Sequence, residues 1–284
     1  MTANLFHYLT IGMKSRSLYL FLILLLLCSK QSDAQNDSLF YFFKEINYPV
    51  TDFTVNIPGE MFVVSLDGQL KKYNVNGDSV GVFNQVKKYG NLGYIEAQNP
   101  WQTLLFYPDF ETIVILDKYL NSLGSINLRD KNIFGVKAIT NSYDNKIWIY
   151  DAQENKIKKL DQNGNNLMAS ADLRQVFDSV PNPTKLIDRD GLLYLYDPAM
   201  GIYIFDYYGA FKIRMALRGW NSLSVIGQSI YGIDNESLYK LTPPGTLPLT
   251  FPLPISLQKA EQAQWANQKV YILKNNLLRI YNLR

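Results

Sequence analysis

From residue 35 onward the chain is written in short apolar runs separated by clusters of Asn, Asp, Gly and Pro. MFVVS (61–65), LLFYP (104–108), IWIYD (147–151), LYLYD (193–197), IYGID (230–234) and VYILK (270–274) are each rich in β-branched, aromatic and leucine residues. All are too short for a helix and are bounded by turn formers, which predicts strands. Behind each comes a second run: LKKY (70–73), IVIL (113–116), IKKL (157–160), IYIF (202–205), LYKL (238–241) and LLRI (277–280). Their last residues, Tyr73, Leu116, Leu160, Phe205, Leu241 and Ile280, recur about every 40 residues, a period that suits a four-stranded propeller blade and exceeds leucine-rich or ankyrin repeats.

Two further strands flank each pair. An inner one precedes it, as in VTDFTVN (50–56), VKAIT (136–140) and SLSVIG (222–227), and an outer one follows, as in NGDSVGVF (76–83) and GAFKIRMAL (209–217). The sixth repeat stops after its third strand, while the apolar run SLFYFFKEIN (38–47) precedes the first repeat and has no blade of its own. An incomplete blade exposes a sheet edge, and lending it the leading segment removes that hazard. The expectation is an all-β, six-bladed β-propeller over residues 35–284, a single domain whose last blade is closed by the N-terminal strand at residues 39–46.

This frame absorbs several apparent motifs. Asp161-Gln162-Asn163-Gly164-Asn165 falls between the third and fourth strands of blade three, where Asn and Gly supply the positive φ of a tight turn. A calcium-binding EF-hand loop would need Gly at its sixth position, a bidentate Glu at its twelfth and flanking helices. Asp151, Asp197 and Asp234 recur in register after the second strand, which marks a turn residue and not a catalytic pair. With strands such as KIWIYD and KIKKLDQNGN, the pattern resembles the six-bladed propellers of the NHL-repeat and TolB-like kind. The resemblance implies a shared fold and leaves the activity open, since such families include calcium-dependent lactonases as well as binders of peptides, proteins, sugars or RNA.

Residues 1–34 read as a signal peptide. Lys14 and Arg16 precede the apolar run at 18–28, and Ser32-Asp33-Ala34 offers a small-x-small cleavage site. As a helix that run spans about 16 Å, roughly half a bilayer core, so it is too short for an anchor, and no later segment qualifies as transmembrane. The protein is therefore expected to be exported, to the periplasm or the cell surface of a bacterial envelope, with outer-membrane association or a lipid anchor on Cys28 as alternatives. Cys28 is the only cysteine, so disulfides do not hold the mature domain together. The formal net charge of +3 is close to neutral and gives no bulk case for nucleic acid.

The single histidine, His7, falls within the leader. Ser-His-Asp and Cys-His catalysis and the usual zinc, copper and haem ligands are then missing from the mature domain, and there is no Walker A or dinucleotide fingerprint. We expect no cofactor and no enzyme activity. A weaker alternative is a calcium-dependent hydrolase: the resemblance to lactonases implies a tunnel ion, for which Asp52 and Glu96 are the candidate ligands. The more regular feature is Leu128-Arg129, Leu173-Arg174 and Leu217-Arg218, repeated where the outer strand hands over to the next blade, with Lys87, Lys88 and Tyr89 at the same point in blade one. Together with Lys131 and Trp220 these form a candidate partner-binding face, since arginines beside aromatics suit carboxylate-bearing partners. The expected function is a monomeric, non-enzymatic scaffold for a protein or peptide. Carbohydrate binding through Trp101 or Trp220 is an alternative.

Overall fold

The structure is a computed structural model that describes residues 39–245 and 247–283. The strands run in chain order: β1 (Phe40–Glu45); β2–β5 (Val50–Val55, Met61–Ser65, Leu70–Tyr73, Ser79–Phe83); β6–β9 (Tyr94–Glu96, Gln102–Tyr107, Thr112–Asp117, Ser122–Asn127); β10–β13 (Val136–Asn141, Ile147–Asp151, Lys156–Leu160, Asn166–Ala169). They continue as β14–β17 (Lys185–Arg189, Leu192–Asp197, Gly201–Asp206, Phe211–Met215), β18–β21 (Ser222–Ile226, Ser229–Ile233, Ser237–Leu241, Leu249–Pro252) and β22–β24 (Gln262–Ala266, Lys269–Lys274, Leu277–Leu283). Six four-stranded antiparallel sheets result, the blades of a six-bladed β-propeller. Blade six has the order β1-β24-β23-β22, with Phe40 opposite Leu283 and Glu45 opposite Arg279, so the N-terminal strand closes the ring as its outer strand. The expected leader at 1–34, its cleavage site and Cys28 lie outside the described residues. Among the described residues no helix is long and apolar enough to cross a membrane.

Burial explains the strand sequences. The second strand of a blade is covered on both faces by its neighbours, so β3, β7 and β11 are buried throughout and read as unbroken apolar runs. The outer strands β9, β13 and β17 are exposed along most of their length and mix polar with apolar residues. Each core is an inter-blade wedge: Phe62, Leu70 and Phe83 of blade one pack with Leu105, Val114 and Leu116 of blade two. The closing wedge joins Tyr271, Leu273 and Ile280 of blade six to Val50, Phe53 and Val63 of blade one.

Two families of turns repeat. After the second strand, the Oδ1 atoms of Asp151, Asp197 and Asp234 each accept two backbone N–H groups, from residues 153 and 154, 199 and 200, and 236 and 237. After the third strand, Asp117, Asp161 and Asp206 do the same for the residues two and four further on. In each case a side-chain acceptor replaces a missing ladder partner. The 161–165 segment is thus a turn, with Gly164 at φ 79°. A register shift just before this second turn, between residues 72/73, 115/116, 159/160 and 204/205, recurs in four blades and twists the outer strand away from its neighbour.

Candidate functional site

Antiparallel pairing sorts the loops into two ends. Blade-to-blade crossovers and second-to-third-strand loops share one end; first-to-second and third-to-fourth loops share the other. The residues of the expected arc belong to crossovers at the first end, and the structure divides them. Tyr89 is buried beside Tyr107, with ring centroids 5.2 Å apart, and Trp220 is buried and stacked on Tyr239 at 5.4 Å. Trp220 lies so close over Gly232 that a Cβ there has no room. These two aromatics are wedge filling and cannot present their rings to a partner, which corrects that part of the expectation. Lys87, Lys88, Arg129, Lys131, Arg174 and Arg218 are exposed. Of these, Arg174 is paired with Asp172 at 2.6 Å, the Nη2 of Arg129 donates to the Asp109 carbonyl at 2.9 Å, and the Nζ of Lys131 donates to Asn165 Oδ1 at 3.0 Å. The recurring unit is explained by its leucine: Leu128 and Leu173 are fully buried plugs, and the arginine is the residue that follows them outward.

The central tunnel holds the acids proposed for a metal. Asp52, Tyr94, Lys185, Ser222, Gln262 and Gln264 are among the residues around a cavity of about 150 Å³. Burial raises the Asp52 carboxyl, opposed by hydrogen bonds from Gln262 and the Phe53 N–H and by the nearby Lys185 ammonium. Glu96 is buried and pushed up to about 7 by desolvation, against the pull of the Gln98 N–H, Lys185 and Arg189. Lys185 is itself lowered by burial and held up by both carboxylates. Both carboxyls are thus already influenced by a cation of the chain's own, Lys185. Calcium takes six to eight oxygens, and among the described residues no group of three or more His, Cys, Asp or Glu gathers. Asp52 and Glu96 beside an ammonium do not fit a calcium ion.

The second end carries a feature the sequence pattern did not mark. A cleft of about 650 Å³ runs between the first-to-second-strand loops of blades two, three and four, and its lining includes Asn99, Trp101, Tyr143, Asp188, Arg189 and Tyr207. Beyond Pro100 and Trp101 it meets a more apolar hollow of about 360 Å³, walled by Pro58, Val75, Val80 and Tyr119. Trp101, Tyr119 and Tyr143 are 68, 54 and 70% exposed. Tyr143 stacks on Tyr207 at 4.9 Å with 9° between the planes. Tyr207 is anchored in turn: its hydroxyl donates to Asp188 Oδ1 at 2.6 Å, while Trp148 Nε1 and Ser142 Oγ donate to Oδ2 at 3.0 and 3.1 Å. Lys159, paired with Asp144 at 2.9 Å, sits 5.0–5.7 Å from the Tyr143, Trp148 and Tyr207 rings, and Lys118 lies 5.2 Å from Trp101. The platform is preorganised. Its sequence signal is aromatic rings at loop positions: Tyr119 stands where blades one and three carry Asn76 and Asn163, and Tyr207 where blades one to three carry Val75, Lys118 and Gln162.

No protein-family model matches the chain, and no curated protein matches it in sequence. Solved structures of similar fold include streptogramin B lyase, at 13% identity over 86% of this chain and 88% of that one with a TM-score of 0.57. Virginiamycin B lyase from Staphylococcus aureus gives 10%, 85%, 99% and 0.61 for the same quantities. The β-propeller domain of Cps50 (Swd1) from Myceliophteria thermophila gives 9%, 86%, 100% and 0.60. At these identities the likeness is one of fold. It nonetheless overturns the expectation that the chain is no enzyme: similar propellers include enzymes as well as non-enzymes. The described residues hold no His or Cys, which removes only some chemistries, and the tunnel retains two carboxylates, an amine and a phenol.

Proposed function

We propose that this chain is a binding module that engages a protein or peptide partner across the end of the propeller bearing Trp101, Tyr119 and Tyr143. The reading rests on the grouping of these three exposed rings over a braced floor. Contiguous exposed apolar patches mark interaction sites, and Tyr and Trp dominate the energetics of protein interfaces because they bury much area at little entropic cost. Propellers of similar fold occur in assemblies, as in the mitotic checkpoint complex, matched at 11% identity over 83% of this chain with a TM-score of 0.55.

A sugar ligand is read by several planar polar groups at once, amides among them. Most of the amide atoms here are already engaged: Asn99 Nδ2 with Asn145 Oδ1, Asn99 Oδ1 with the Trp101 N–H, Asn141 with Gln102, and Gln98 Nε2 with the Val55 carbonyl. That favours a peptide. Export to the envelope, and kinship with NHL-repeat or TolB-like propellers, belong to the same proposal on the strength of the leader-like residues 1–34 and the repeat pattern.

Affinity capture from the envelope fraction tests it with three baits. A partner retained by the wild type should be lost with Trp101→Ala/Tyr143→Ala and kept when Lys87, Arg129, Arg174 and Arg218 are reversed to glutamate. The opposite pattern would return the interface to the crossover end. Intact-mass analysis of the native protein should find Gln35 as its first residue.

A further inference from the structure

We propose that Arg189 makes the polar half of this groove a reader of carboxylates, so that the bound peptide carries an Asp or Glu side chain next to an apolar or aromatic residue. This rests on the binding face proposed above and adds the chemistry of what it holds.

Arg189 is the last residue of β14, opposite Leu192, and the two-residue turn between them has Asp190 at φ 51° and Gly191 at φ 82°. Such a turn fixes the strand end and therefore where the guanidinium starts. The side chain lines the cleft together with Trp101 and Tyr143, yet it makes no hydrogen bond or salt bridge among the described residues, and its Nε is buried without an acceptor. The two Nη groups, unlike Nε, are not sealed by protein and have no acceptor either, so a ligand carboxylate can take their N–H bonds. The nearby Lys159 differs, because it is paired with Asp144. Asp188 does not satisfy Arg189 either: its two oxygens already accept from Tyr207, Trp148 and Ser142.

A planar fork of donors beside exposed rings matches a carboxylate with an apolar neighbour, the acid on Arg189 and the neighbour against Trp101 or in the Pro58–Val75–Tyr119 hollow. Both compartments share Pro100 and Trp101, so one extended segment can reach from one to the other. The lining acids that oppose a bound carboxylate are Asp188, already held by three donors, and Asp190, exposed on the turn. Removing the Asp190 charge should therefore strengthen binding.

The test uses an array of N-acetylated, C-amidated hexapeptides, each combining one Asp or Glu with one Leu, Pro, Tyr or Trp at varied spacing. A matched set carries Asn or Gln in place of the acid. The wild-type protein should prefer the acidic set by roughly tenfold or more, the range a charge-assisted hydrogen bond supplies. Arg189→Gln should bind both sets alike at the amide level. Arg189→Lys should keep only part of the preference, and Asp190→Asn should increase it. Thermal unfolding establishes that each variant is folded; should Arg189→Gln fail to fold, Arg189→Lys and Asp190→Asn decide. Equal binding of acids and amides by the wild type, or an unchanged preference in Arg189→Gln, overturns the inference. If such charge-blind binding still disappears in Trp101→Ala/Tyr143→Ala, the face survives and the carboxylate does not. If no peptide of either set is retained, both are wrong.

Discussion

The two ends of the propeller teach opposite lessons about repetition. At the crossover end the sequence is regular, and Leu128-Arg129 and Leu173-Arg174 recur because their leucines plug two wedges, with Leu217 a half-buried third copy. At the other end the regular residues are the turn formers Asp117, Asp161 and Asp206, and the chemistry sits where regularity fails, at Trp101, Tyr143 and Tyr207. A residue repeated in every blade answers a demand that every blade makes. One that occurs once answers something else.

The contrast can be broken most forcefully at Trp220. If the crossover end is structural, Trp220→Ala should cost about 3–5 kcal/mol in urea unfolding, the range for deleting a buried aromatic, while Arg218→Ala next to it leaves the midpoint unchanged. A mild Trp220→Ala together with lost binding would put function back at that end.

Glu96 gives the next effect, and its sign is fixed by the direction of its shift. Its folded value of about 7 lies above the ordinary glutamate value of 4.5, so between these two pH values the native state holds a proton that the unfolded state has released. Stability should therefore fall as pH rises through this window, and Glu96→Gln should remove that fall. At pH 8 the variant should be more stable than wild type by about 2–3 kcal/mol. A flat wild-type profile between pH 4.5 and 7 would mean that the tunnel hydrates Glu96 well.

A smaller change is expected at the platform. Tyr207→Phe removes the hydrogen bond to Asp188 and should cost about 1–2 kcal/mol of stability. It should also weaken partner binding, because Tyr143 loses the ring position on which it stacks. At the bottom of the scale, Arg129→Ala should stay within about 0.5 kcal/mol of wild type and leave binding intact. A larger loss of binding than with Tyr207→Phe would invert the contrast.

Blade number, strand order and the latch by residues 39–46 were legible because each is enforced by a repeated physical need: apolar second strands covered on both faces, turns at fixed intervals, and an edge that must be closed. Asp151 was likewise readable as a turn residue. Its second role, a buried pair with Lys158 at 2.7 Å, was not, because the IKKL run gives no sign that one lysine turns inward. The groove escaped for a related reason. Its residues come from three blades, Trp101, Tyr143 and Arg189 among them, and only ring closure brings them together. Trp220 misled because an aromatic after an arginine looks the same in sequence whether it fills a wedge or faces water.

Hydroxyl-radical footprinting of the propeller, alone and with its captured partner, tests the central claim most directly. Oxidation of Trp101, Tyr119 and Tyr143 should drop on binding while the exposed crossover segments at 84–88 and 174–176 stay equally reactive. Protection confined to the crossover segments, with Trp101 and Tyr143 as reactive as before, would contradict the account.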